Sequence, residues 1–338
     1  MTAVISWITS VCSLFVTLFG FVPASVQPLF SGSGAGAPVD SVTLPLEGGS
    51  DPWYVEHEGT WYYCYSIGEG VAVRVSDRVS TLGTGEEYVA YRAEPGTDHS
   101  WAYWAPEMHF LDGAWYIYVA ACDGRNETHR MFVLKSDSPT GPYEMVGKIA
   151  PETDRWAIDG TVLTVGDERY FVWSGWEGEE DAGQNLYIAK MADPTRLTGD
   201  RVCISRPTLS WEKRGAPINE GAAALQRDGR TFLVYSASGS WTDDYCLGLL
   251  TLTGDPMDPA AWAKCPVPVL RKDKTAYGPG HPSFIKGSDG ADYVVYHANL
   301  VSGTGWDGRT VRIQPVYWRG GFPVFGRPLP EGSQVQIR

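Results

Sequence analysis

Five times along the chain a glycine turn leads into a strand of aromatic and β-branched residues, and such a repeat restricts the chain to a ring or stack of like units. The strands run from Gly59 to Ser66, Gly113 to Ala120, Gly166 to Ser174, Gly229 to Ser236 and Gly290 to His297. Their turn glycines, at 59, 113, 166, 229 and 290, are spaced by 54, 53, 63 and 61 residues. Recurrence of strand-forming residues at a near-constant period marks repeated sheet units rather than one large sandwich. A further strand follows in each unit, at residues 71–77, 131–137, 185–193, 246–255 and 310–318, so each unit holds about four strands. The prediction is an all-β fold, a five-bladed β-propeller.

The repeats occupy most of the 338 residues. Residues 3–22 are mostly apolar and lead into Val22-Pro23-Ala24, so residues 1–24 read as a signal peptide, with an uncleaved anchor as the alternative. Residues 25–47, which include the Ser31 to Pro38 run of Ser, Gly and Ala, read as a flexible lead-in, and residues 48–338 as the propeller. A cleaved signal implies a secreted protein with no stable membrane association, and a monomer is expected. Five cysteines lie beyond the apolar segment; Cys64 and Cys246 are expected to be buried, and one disulfide, Cys203 with Cys265, would suit an oxidising compartment.

Forty acidic against 27 basic residues give a net charge of −13, with no basic cluster, which excludes a groove that tracks nucleic-acid phosphates. Fourteen Trp, eighteen Tyr and eleven Phe supply flat faces that pack blades and also stack on sugars.

In a propeller the innermost strand of each blade borders the central channel, so the polar motif ahead of each hairpin reaches one end of the axis. These motifs are Asp51-Pro52-Trp53, Trp104-Ala105-Pro106-Glu107, Ile158-Asp159-Gly160, Asn219-Glu220-Gly221 and Gly278-Pro279-Gly280-His281. Their polar residues lie 8, 6, 7, 9 and 9 residues before the turn glycines, at about the same depth. Carboxylates gathered there raise one another's pKa and destabilise the fold, so they point to chemistry. Two carboxyl groups flanking a glycosidic bond are what its hydrolysis requires, and groups on separate blades leave room for an intervening water, which favours inversion. Asp51 is held by the fixed backbone of Pro52, while Asp159 and Glu220 each precede a glycine that would let the backbone approach a ligand.

This ordered set, together with the Tyr235 to Trp241 run Tyr-Ser-Ala-Ser-Gly-Ser-Trp, resembles the motifs of glycoside hydrolase family 43, the five-bladed arabinofuranosidase, xylosidase and arabinanase group, over about residues 48–330. The resemblance implies catalysis at one end of the propeller axis by Asp51 as general base and Glu220 as general acid, with Asp159 holding the pKa of Glu220 up. It implies that His281 lies near the axis, as ligand of a central cation such as Ca2+, as contact to waters around one, or as a packing residue; no cofactor is otherwise required. Arg309 resembles the family's late sugar-contacting arginine, with Arg312 as the competing candidate. Trp53 and Trp104 are expected to stack on sugar at the channel mouth, with Trp173 and Trp241 further out, and Glu107 to hold an adjacent blade. The acidic loop Glu177 to Asp181 reads as a solvated rim. The expected function is release of terminal α-L-arabinofuranosyl residues from arabinan or arabinoxylan by an exo-acting enzyme. A β-xylosidase, a galactofuranosidase and a non-catalytic sugar-binding propeller are the alternatives.

Overall fold

The computed structural model describes residues 39–338; the signal peptide expected over residues 1–24 lies outside the described residues, as does the lead-in up to residue 38. Five antiparallel sheets follow one another along the chain. The first blade comprises Trp53–His57, Thr60–Ser66, Gly70–Ser76 and Glu86–Arg92, and the second Trp101–Leu111, Ala114–Cys122, Arg130–Ser136 and Glu144–Lys148. The third is Ala157–Val165, Glu168–Gly175, Asn185–Asp193 and Arg196–Ser205, and the fourth Asn219–Arg227, Arg230–Ala237, Cys246–Leu252 and Trp262–Lys264. Tyr277–Lys286, Asp292–Asn299 and Arg309–Arg319 form the fifth. Its next strand, Glu47–Gly48, comes from the N-terminal side of the propeller and pairs with Thr310 and Val311. Inner strands of successive blades adjoin one another, and that of blade 5 meets that of blade 1, which closes the ring.

The lead-in is therefore shorter than expected: residues 40–43 pair with 334–337 as a two-stranded sheet, and 47–48 complete the last blade. Pairing of early with late strands removes two open edges and ties the ends of the repeat together.

Why the aromatic strands read as unbroken apolar runs is clear from their packing. Ala114–Cys122 is buried at every position. Tyr116 and Tyr118 enter the seam with blade 3, whereas Trp115, Ile117 and Val119 enter the seam with blade 1, the alternation of a strand covered on both faces. Five such apolar seams, one between each pair of neighbouring blades, form the core. The expected disulfide is not made: Cys203 directs its Sγ toward the Ser205 carbonyl and packs at the seam of blades 2 and 3, while Cys265 lies in the seam of blades 4 and 5. Cys64 and Cys246 are buried, as expected.

Candidate active site

Aligned by strand pairing, the inner motifs share one backbone device. In blades 2 to 5 the inner strand carries one residue more than its partner, between Trp104 and Glu107, Ile158 and Thr161, Glu220 and Ala223, and Gly280 and Ser283. The residue opening each bulge has positive φ: Ala105 at 42°, Asp159 at 54°, Gly221 at 50° and His281 at 53°. Asp51, two residues ahead of the Trp53–Cys64 pair, occupies the same position in blade 1 with φ 50°. The left-handed conformation costs a non-glycine residue about 1–2 kcal/mol, and bulges beside functional sites re-aim side chains. Four of the five positions bear that cost. Asp51, Asp159 and His281 thus form one layer, whereas Glu220 stands one residue earlier along its strand, at the position Trp104 holds in blade 2. Glu107 falls two residues beyond the bulge, so the five motif residues do not share one depth.

The glycines beside the carboxylates make room for side chains. A Cβ on Gly221 would lie 2.9 Å from His281 Nδ1, and one on Gly160 would lie 2.2 Å from the Phe171 ring. Close approach by a ligand, expected from the sequence, is not what they serve.

A second recurring device links each blade to the next. The aromatic strands end in Ser66, Ala120, Ser174, Ser236 and His297 at equivalent positions. Ser66 Oγ donates to the Tyr103 carbonyl, Ser174 Oγ donates to the Asn219 carbonyl, and Ser236 Oγ accepts from the His281 amide at 2.7 Å. At the ring closure His297 Nδ1 accepts the Asp51 amide at 3.1 Å. That bond leaves Nδ1 without a proton, so His297 is a neutral ring; burial pushes its pKa down to about 3. His297 was not singled out from sequence, although a histidine where the other repeats place serine or alanine was the available signal.

The straps and bulges bring the three expected carboxylates and His281 together. His281 Nδ1 lies 3.1 Å from Asp51 Oδ1 and 4.0 Å from Asp159 Oδ2, and Arg309 Nη1 lies 3.6 Å from Asp51 Oδ1. The Gly221 amide donates to Asp159 Oδ2 at 3.0 Å, and Tyr245 Oη donates to Glu220 Oε1 at 2.8 Å. Ahead of Glu220, Asn219 is fully buried; its side-chain amide donates to Glu212 and its carbonyl oxygen accepts from Ser205 Oγ, which fixes the start of that strand.

Electrostatics separates the carboxyl groups. Burial opposes ionisation of Asp51, but the His281 ring and the Arg309 guanidinium outweigh it, so the group stays well below the usual carboxylate range. Glu220 is pushed up to about 7, by burial first and then by the Asp51 charge, against the Tyr245 hydrogen bond and Arg309. Asp159 is raised well above its ordinary value by burial and by Glu220 and Asp51. Asp159 and Glu220 titrate as a linked pair, and the Gly221 amide favours charge on Asp159. The site therefore holds one firmly ionised carboxylate on blade 1 and a proton on the pair from blades 3 and 4.

The remaining expectations divide. Arg309, with its side chain nine per cent exposed, also donates to the Ser240 carbonyl and belongs to the site. Arg312 does not: it is fully buried and donates to the Leu329 carbonyl. Trp104 is 40% exposed and stacks its inner face on His129 at 3.9 Å, leaving the other face open. Trp241 is exposed and meets Trp306 edge-on. Trp173, only 2% exposed, packs on Phe171 and Tyr187 in the seam of blades 2 and 3, so it is core rather than sugar platform. Trp53 is likewise diverted, donating Nε1 to the Met108 carbonyl and packing on His109 between blades 1 and 2. Glu107 is buried with His109 Nε2 at 3.2 Å, consistent with a structural part. In the acidic loop, Glu177 pairs with Arg206 and Glu179 with Arg155 on the exposed rim. Tyr245 went unnoticed because its position follows no repeat.

Among the described residues no group of three or more His, Cys, Asp or Glu side chains is arranged to hold a metal ion. His281 turns its Nδ1 toward Asp51.

Comparison with known proteins agrees with this arrangement. The chain is 36% identical to an extracellular exo-α-(1→5)-L-arabinofuranosidase of Streptomyces avermitilis, over 94% of this chain and 71% of that one. It is 35% identical to α-L-arabinofuranosidase 43 of Humicola insolens, over 95% and 71%. The fold superposes on the crystal structure of an α-L-arabinofuranosidase from Lactobacillus brevis with a TM-score of 0.81, at 31% identity and covering 86% and 98% of the two chains. Residues 44–323 match the model of glycosyl hydrolases family 43, and with its ring of bulged inner strands and three converging carboxyls the chain belongs to that family.

Proposed function

We propose that this glycoside hydrolase is an exo-acting α-L-arabinofuranosidase that removes terminal α-L-arabinofuranosyl residues from arabinan or arabinoxylan with inversion at the anomeric carbon. The observation that carries the mechanism is the opposite electrostatic fate of Asp51 and Glu220. Asp51, ionised, takes a proton from water as the water oxygen bonds to the anomeric carbon. Glu220, protonated, gives its proton to the departing glycosidic oxygen, which keeps the electron pair of the broken bond. Charge on Glu220 raises Asp159, so the two carboxyls resist ionising together, and the orientation of Asp159 is set by the Gly221 amide. His281 and Arg309 hold Asp51 charged and aimed.

The identity of the sugar is supported by the relatives, whose printed activities are those of arabinofuranosidases. Two of them are named extracellular, which supports export of this chain too. Among the described residues no helix is long and apolar enough to cross a membrane. The complete site comes from one chain, so action as a monomer is the simplest arrangement.

The test is turnover of nitrophenyl α-L-arabinofuranoside, β-xyloside and galactofuranoside by the parent and by Glu220→Gln, with NMR of the first-formed sugar anomer. Loss of arabinofuranoside hydrolysis in a folded variant, and release of the β-anomer by the parent, are expected. Equal turnover by parent and variant would remove Glu220 as acid, and α-anomer release would remove inversion.

A further inference from the structure

A cavity of about 310 Å³ opens beside Asp51. Its walls come from residues 47–51, from Tyr63, Tyr65, Ser66 and Arg74 of blade 1, and from Ala105 and Pro106 of blade 2. Of the three catalytic carboxyls only Asp51 borders it; Asp159 and Glu220 do not, and neither do His281 and Arg309. In the ring order, blades 3 and 4, which carry Asp159 and Glu220, lie across the axis from blade 1. The cavity therefore adjoins the base and not the proton donor.

Inversion requires a water between the base and the anomeric carbon, on the sugar face opposite the leaving oxygen. A terminal sugar seated over the carboxyls fills the mouth of an exo-acting site, so each turnover needs water from another direction. We propose that this cavity is the water chamber of the reaction, storing the nucleophile and presenting it to Asp51. The inference rests on Asp51 acting as the base.

The walls suit that task. The volume is many times the ~30 Å³ that one water takes in the liquid. The Glu47–Arg74 ion pair at 2.7 Å and the side chains of Ser66 and Tyr65 supply polar groups, and the Tyr63 and Tyr65 rings, stacked at 4.7 Å, make a stiff floor. In each turnover one water leaves the chamber, its oxygen bonding to the anomeric carbon and its proton passing to Asp51, while the leaving oxygen takes the proton of Glu220.

The test fills the chamber. Gly48 has no left-handed φ and a Cβ there would meet nothing within 4 Å, so Gly48→Leu adds bulk without strain, and Ser66→Leu adds bulk from blade 1 while giving up the bond to the Tyr103 carbonyl. A crystal structure of each variant verifies that the cavity is occupied. Steady-state kinetics then use nitrophenyl arabinofuranoside and arabinofuranosyl fluoride, whose fluoride departs without the acid. Both variants should lose about ten- to a hundred-fold in kcat on both substrates, with KM within about twofold, because the nucleophile is displaced while sugar binding is not. Parent kcat in a variant whose cavity is filled overturns the proposal, and so does a raised KM with unchanged kcat, which would make the cavity a sugar subsite. Asp51→Asn is measured in parallel. If it stays active, the base assignment itself fails and the chamber with it; if it is inactive while filled variants work normally, only the chamber fails.

Discussion

Replacing Tyr245 by Phe should move the alkaline limb of the kcat/KM profile to higher pH. Tyr245 Oη donates to Glu220 Oε1 at 2.8 Å, and its own pKa is raised well above the ordinary value, by burial first, so the hydroxyl remains a donor throughout the assay range. Its bond stabilises the ionised form of Glu220, and removal penalises that form. A hydrogen bond to a charged group contributes about 1.5–3 kcal/mol, and one pKa unit corresponds to about 1.4 kcal/mol. The protonated carboxyl also accepts from the hydroxyl, so the net shift falls at the low end, about one unit upward from about 7. Phe keeps the ring that lies parallel to His297 at 5.7 Å, so the pocket retains its shape. The assay is kcat/KM for nitrophenyl arabinofuranoside from about pH 4 to 10, a range over which Asp51 stays ionised, so the alkaline limb alone reports the change. An alkaline limb that stays put or moves down would refute the assignment of Glu220 as the acid tuned by Tyr245.

Arg309→Gln removes a positive charge near Asp51 and so raises its pKa, so activity should begin to fall at the acid end of the same profile, where the parent stays flat, while kcat falls. Asp51→Asn should lower kcat by about 10²–10⁴ for good and poor leaving groups alike, whereas Glu220→Gln should spare arabinofuranosyl fluoride, as a comparison of the two substrates will show. Glu220→Gln should also stabilise the fold at alkaline pH. A carboxyl raised from 4.5 to about 7 binds more protons folded than unfolded, so its unfavourable contribution grows as pH rises through that window, to at most about 3 kcal/mol. Thermal unfolding should therefore show a higher Tm for the variant near pH 8 and little difference near pH 4.5. Trp173→Ala should cost about 3–5 kcal/mol in urea unfolding, as core aromatics do, whereas Trp104→Ala should leave stability close to parent and raise KM for arabino-oligosaccharides.

The sequence by itself determined the ring. Turn glycines at a near-constant period and strands such as Ala114 to Ala120 are local features, and an unbroken apolar run along a strand already implies two buried faces. It also indicated Asp51, Asp159 and Glu220, because chemistry-bearing residues ahead of each hairpin have few other reasons to recur, whereas Arg309 was indicated by the family resemblance alone. Where each side chain points was decided by tertiary structure. A bulge exists only against a partner strand, so the shared left-handed position of Asp51, Asp159 and His281, and the offset of Glu220 and Glu107 from it, follow from pairing rather than spacing. Trp53 and Trp173 have the same composition signal as Trp104, yet the seam that receives each ring depends on the neighbouring blade. The same holds for His297, which meets Asp51 from blade 5 only once the ring has closed, and for Tyr245, whose hydroxyl reaches Glu220 only once the strands of blade 4 have paired.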